Sequence, residues 1–355
     1  MDEVRVYAPG KLLVVGEYAV LHGDRALVVA MDSGIECFSS PCPQGWWLAA
    51  PDLGVDAPLG TAGKLASGAG LLVAAVDRGA HAFVQPSPRH LTVQAHGRHG
   101  HRKVGLGGSA ASVVAIMGAL AATAGHDLEN PLTRSRLFDL SLAVHREHQH
   151  GLGSGADVAA TVFGGWLGYQ LRDHTPHVAH VAPPPELTIS AAWTGVETPT
   201  LAGLAAFDRL PNRRRHLDRM HTVLRDFWCA FEQHQRTDLG NAVCRYGELL
   251  DDLAQDLQLP THVQVSKLVR ASKAATTAVK GSGAVGGDCV IALCFSSAQS
   301  AALRSAWKQV GVSPLHLSPD LRGVRVVRKG RTAPTQPPIA TRSGAPPHPE
   351  SGHAQ

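Results

Sequence analysis

The stretch VGLGGSAASVVAIMGAL, residues 104–120, runs a glycine-rich turn directly into an apolar helix whose pattern starts near Ser109. The first turn of a helix carries N–H groups with no helical acceptor and the positive end of the macrodipole. Gly105, Gly107 and Gly108 let the backbone approach an anion with no Cβ in the way. In physical terms this is a phosphate cradle. It has neither the Lys-Ser/Thr ending of the Walker sequence nor the G-x-G-x-x-G spacing of the dinucleotide fold, so neither standard label applies. Taken alone, the stretch reads equally well as a tight turn before a buried helix.

Three further segments share its character. KGSGAVGGDCVIAL (280–293) places glycines ahead of an apolar strand, which marks either close backbone approach or a bulged hairpin. HREHQHGLGSGADVAATVFGGW (145–166) ends a helix near Gly151, turns through Gly153, Ser154 and Gly155, and sets Asp157 at the opening of an apolar stretch. Asp157 there reads either as a helix cap or as a functional carboxylate. The fourth, APGKLLVVGEYAVLHG (8–23), puts a lysine and a glutamate between short β-branched runs.

Between these segments the chain alternates strands and helices. Strands are expected at 4–7, 12–15, 26–31 and 187–193, and a glycine-rich turn with a strand at 281–295. Helices are expected at 65–78, 109–124, 132–147, about 215–235 and 238–256. A mixed α/β chain of 355 residues has room for two domains, and the proline cluster Pro183–Pro185 marks the boundary, giving 1–185 and 186–330. Residues 331–355 are too rich in Pro, Gly and polar residues to bury a core and read as a disordered tail.

Composition narrows the function. With 44% hydrophobic and 17% charged residues and no apolar run of about 18, the chain is that of a globular protein outside the membrane, and the start has no signal-peptide pattern, so a cytoplasmic location is expected. The six cysteines form no C-x-x-C pair and read as reduced thiols. A net charge of +4 and 5% aromatic residues leave little for nucleic acid, while a small anion remains open. The twenty histidines show no metal-binding spacing and are expected mostly at the surface.

The four segments in this order resemble the GHMP kinases over about residues 5–295. Pro9, Gly10, Lys11, Gly16 and Glu17 match the first motif of that family. Gly105 to Ala111 match its ATP-phosphate loop, with Gly108 where a serine is usual, and Gly283 to Gly287 match its third motif. The resemblance implies two mixed α/β halves with the active site in the cleft between them, and ATP with Mg²⁺ as cosubstrate. Within the family, SGAVGGDC with Asp288, GSGADVAA, WTG (193–195), GEYAVL and Lys103 look most like phosphomevalonate kinases. Val285 departs from their usual glycine, and His22-Gly23 is similar to mevalonate kinases, the runner-up; a non-catalytic ligand sensor of the same family is the alternative from another class.

The resemblance also implies roles. Lys11 and Asp157 are the catalytic candidates, and Gly105, Leu106, Gly107, Gly108, Ser109 and Ala110 would hold ATP. Lys103, Ser154, Thr198, Thr200, Gly283, Gly286, Gly287 and Asp288 would hold substrate. Ser109 and Glu147 are the metal candidates, although Glu147 stands one residue from the family spacing and reads equally as a helix surface charge. Lys280 and the run NRRRH (212–216) form a cation reservoir, with a solvated face the bland reading of the arginines. The expected partner is phosphomevalonate or mevalonate, with no nucleic acid and no membrane; a homodimer is left open.

Overall fold

The structure is a computed structural model that describes residues 3–59, 69–83, 87–96, 104–195, 200–259, 263–273, 275–276, 278–283 and 288–327. Its spine is an antiparallel pair, β1 (Val4–Val15) and β2 (Ala26–Pro41). The sequence reads as two short strands at 4–7 and 12–15, yet β1 is one strand interrupted by a register shift at Pro9/Gly10. That irregularity reverses the side-chain alternation. Val4, Val6 and Ala8 face one core, whereas Leu12 and Val14 face another. β2 changes parity with it: Ala26, Val28 and Ala30 join the first core, Leu27, Val29 and Met31 the second. Residues 26–31 are therefore buried on both faces, which is why they read as an unbroken apolar run.

The remaining elements of the first sheet are β3 (Trp47–Ala50), β4 (Val55–Pro58), β5 (Arg89–His96), β6 (Trp166–Arg172) and β7 (Thr175–His180), ordered β1-β2-β5-β3-β4 with β6 pairing β2 and β7. On one face lie α1 (Ala69–Ala82), α2 (Gly108–Thr123), α3 (Pro131–His148) and α4 (Ala156–Phe163). α2 is enclosed on nearly all sides, from Ala110 to Ala122, in line with its uniformly small and aliphatic sequence. Each larger aliphatic there, such as Ile116 or Leu120, contributes on the order of 2 kcal/mol through burial. α3 begins on an Asn130 cap, whose side chain accepts from Leu132 N at 2.9 Å and Thr133 N at 3.3 Å, with Pro131 at the first helical position.

Directly after Pro183–Pro185 the chain enters a second sheet at β8 (Thr188–Trp193). α5 (Thr200–Asp208), α6 (Arg213–Glu232), α7 (Arg236–Asp256) and α8 (Val263–Ser272) follow, then β9 (Val279–Ser282), β10 (Cys289–Cys294), α9 (Ser297–Gln309) and β11 (Pro314–Leu315). The second sheet has the order β11-β8-β10-β9. On β10, Cys289, Ile291 and Leu293 face α6, α7 and the first sheet, while Val290, Ala292 and Cys294 face α8 and α9. A last strand, β12 (Arg325–Val326), returns to the first sheet beside β1. No described helix is long and apolar enough to cross a membrane. The tail expected at 331–355 lies outside the described residues.

Candidate active site

The turn before α2 lies directly on β1. Lys11 N donates to Leu106 O at 2.8 Å, and a Cβ on Gly10 would stand 2.7 Å from that carbonyl and 2.4 Å from Ser33 O, so only glycine lets the loop rest there. Past the register shift, Lys11 lies on the same side of β1 as Leu13, which packs with the first core. Its stem runs against Gly107 and its Nζ reaches Gly105 O at 3.4 Å. Gly105 has φ +73°, and a Cβ on it would meet the Asp288 Cβ at 2.5 Å.

The second sheet holds the other side of this loop. Cys289 Sγ donates to Val104 O at 2.8 Å, and burial pushes the thiol up to about 12, so it remains a donor at neutral pH. Thr194 N and Oγ1 each donate to Asp288 O at 2.9 Å. The Asp288 side chain thus stands beside the loop, against Gly105.

At the first turn of α2, Ser109 is exposed and its Oγ lies 3.2 Å from Nε2 of His145, which is buried in α3. The same Nε2 stands 3.7 Å from Asp157 Oδ2. Asp157 is the second residue of α4, after a Gly155 cap, and its Oδ1 accepts from Val158 N at 2.9 Å. One carboxylate oxygen therefore bonds an amide of the first turn while the other faces His145; the cap itself is Gly155, so Asp157 is not the helix cap.

Ser154 turns inward at that loop: its carbonyl accepts from Tyr169 OH at 2.5 Å and Arg146 at 3.1 Å, and its Oγ from Ala156 N at 3.3 Å. Gly283 N donates to Glu17 Oε1 at 3.3 Å.

Two expectations are corrected. Glu147 does not reach Ser109; it is exposed, with its carboxylate 3.5 Å from Arg78, because two positions along a helix rotate a side chain about 200° away from His145. Lys280 is no free cation either. It is fully enclosed, with Nζ 2.5 Å from Glu17 Oε1; burial pushes Lys280 down and Glu17 up, and their mutual attraction opposes both. Arg213 pairs with Asp208 at 3.2 Å and Arg214 and Arg215 are exposed, the solvated face. Lys103, Thr198, Gly286 and Gly287 lie outside the described residues; Thr200 opens α5, but its side chain is likewise outside them.

His145 was not among the expected site residues, since the histidines were read as surface. The available signal was helical spacing: Phe138, Ser141, Leu142 and His145 form one buried stripe of α3, opposite Arg136 and Glu147.

Residues 71–165, which include the glycine turn ahead of α2, His145 and Asp157, match the family model described as the GHMP kinases N terminal domain. The chain carries a GHMP kinase N-terminal domain. It is 29% identical to a phosphomevalonate kinase of Streptomyces sp. (strain CL190), across 90% of this chain and 97% of that one. Among solved structures, a Listeria innocua protein matches with a TM-score of 0.78 at 21% identity, covering 93% of this chain and all of that one. Streptococcus pneumoniae phosphomevalonate kinase in complex with phosphomevalonate and AMPPNP matches with a TM-score of 0.73 at 22% identity, over 90% of this chain and all of that one. The GHMP kinase fold is thus shared across both sheets.

Proposed function

We propose that the protein transfers the γ-phosphoryl group of ATP to the terminal phosphate of 5-phosphomevalonate, giving 5-diphosphomevalonate and ADP, a step of the mevalonate route to isoprenoids. The observation that carries this reading is the meeting, around one helix start, of Lys11, the 104–110 turn and the Ser109–His145–Asp157 group. The named Streptomyces relative and the ligands of the S. pneumoniae structure support the choice of substrates.

Phosphoryl transfer asks the protein mainly to align donor and acceptor and to offset charge on the oxygens. In this reading the N–H groups of Gly105, Leu106, Gly107, Gly108, Ser109 and Ala110 face the ATP phosphates, and Lys11 offsets charge on the transferring group. A phosphate acceptor is already ionised at neutral pH, its second pKa being about 6, so Asp157 orients more than it deprotonates. In the same reading Lys103, Ser154, Thr198, Thr200, Gly283, Gly286, Gly287 and Asp288 would hold the acceptor. The halves 1–185 and 186–330 form the two walls of the cleft, and the reaction runs in the cytoplasm.

The exposed Ser109 hydroxyl and the Asp157 carboxylate, which share His145 Nε2 as a neighbour, offer oxygens that suit a hard divalent cation such as Mg²⁺. Among the described residues no three His, Cys, Asp or Glu side chains cluster as a ligand set, so Ser109 and Asp157 would share the ion with the nucleotide phosphates. When bound, Mg²⁺ supplies charge neutralisation at the β- and γ-phosphates.

ADP release measured with phosphomevalonate, mevalonate and galactose tests this reading. Phosphomevalonate should give the highest kcat/KM; a preference for mevalonate would reassign the acceptor. Asp157→Asn should lower kcat on the order of 10²-fold or more with little change in KM for ATP, since a group acting at the transition state adds little to nucleotide binding.

A further inference from the structure

His145 is 1% exposed, and its two ring nitrogens have unequal surroundings. Nε2 meets Ser109 Oγ at 3.2 Å and faces Asp157 Oδ2 at 3.7 Å, whereas Nδ1 is buried with no hydrogen-bond partner among the described residues. A neutral imidazole has one donor and one acceptor nitrogen. With the proton on Nδ1, a buried N–H would lack an acceptor and the Nε2 lone pair would point at a carboxylate oxygen. With the proton on Nε2, both conflicts disappear and only a lone pair is left unpaired, the milder of the two defects.

We propose that His145 is a positioning residue of the phosphoryl-transfer site, donating from Nε2–H to Ser109 Oγ. This rests on the reading of Ser109 and Asp157 as site residues. A serine in the first turn of a helix can turn its hydroxyl through several staggered wells. Once Ser109 Oγ accepts from beneath, its own O–H and remaining lone pair are directed outward, to the exposed side of the α2 start where the phosphates are placed. The same ring stands between α3 and the inner oxygen of Asp157, so one side chain sets the spacing of two site groups that come from different helices. For packing alone, an apolar side chain of similar volume would serve this stripe of α3 better, because it would bury no unpaired nitrogen.

The test uses His145→Leu and His145→Gln in the full chain, assayed with whichever acceptor the wild type turns over best. Leucine fills the volume without a donor; glutamine restores an N–H near the Nε2 position. His145→Leu should melt at or above the wild-type temperature yet lose kcat on the order of 10²-fold, with KM for ATP changed by less than about threefold. His145→Gln should recover most of the lost kcat. In the wild type, ¹⁵N imidazole spectra at mildly alkaline pH should show Nδ1 as the unprotonated nitrogen and Nε2 as the protonated one.

A folded His145→Leu enzyme within about threefold of wild-type kcat, a folded His145→Gln no better than the leucine variant, or a proton on Nδ1 would each overturn the proposal. If both variants fail to fold, the wild-type spectrum decides. A wild type that prefers another acceptor changes the functional reading and leaves these comparisons intact.

Discussion

Gly105 was legible as a single residue because its demand is local: a positive φ just ahead of a helix start is written into neighbouring positions, whereas Lys11 was named only through the family resemblance and meets the loop from 94 positions away. Gly105→Ala tests this. The new Cβ meets Asp288 in a conformation that L-residues avoid, so the variant should lose about 1–3 kcal/mol and bind ATP more weakly, read from urea unfolding and KM for ATP. The thiols give a pH dependence. Burial pushes Cys37 and Cys289 up to about 12, against an ordinary value near 9. Between those values the unfolded chain releases protons that the fold retains, so stability present below about pH 9 is lost as pH rises. Each thiol contributes up to about 1.4 kcal/mol per pH unit. Urea midpoints should fall from pH 8 to pH 10, less steeply in Cys37→Val.

Elements were readable to within a few residues wherever period and caps agreed. α3, α6 and α7 stand near their expected positions because each carries its apolar stripe or its cap in its own sequence, and α2 because its run of small and aliphatic residues is unbroken. Asn130→Ala removes the one side-chain oxygen that accepts from two N–H groups in the first turn of α3 and should cost about 1 kcal/mol, seen as a lower urea midpoint at constant slope. Turnover at low temperature should persist, since the cap lies at the opposite end of α3 from His145. β1 was less legible. Pro9-Gly10 reads as a break between strands, and only pairing with β2 makes it a bulge inside one strand.

At the scale of the whole molecule, the Glu17–Lys280 pair ties the end of β1 to β9 and so joins the two sheets. Tyr246 OH also donates to Glu17 O at 2.7 Å, adding α7 to the junction. Glu17→Gln leaves a buried ammonium without a counter-charge and should cost about 3–5 kcal/mol, whereas the double variant Glu17→Met/Lys280→Met should recover most of that loss. Urea unfolding of the single and double variants checks this. Recovery by the double variant would mark the pair as a specific join more than a source of net stability.

The sequence by itself determined the glycine turn ahead of α2, the mixed α/β class and the placement of the long helices. Those features depend on backbone preferences and periodicities within one turn or one strand. The tertiary structure alone decided that His145, not Glu147, meets Ser109, that Lys280 is enclosed by Glu17, and that Cys289 pins Val104. These contacts join residues 36, 263 and 185 positions apart. No local pattern encodes which distant side chain closes such a contact, because that follows from how the helices and the two sheets pack around shared cores.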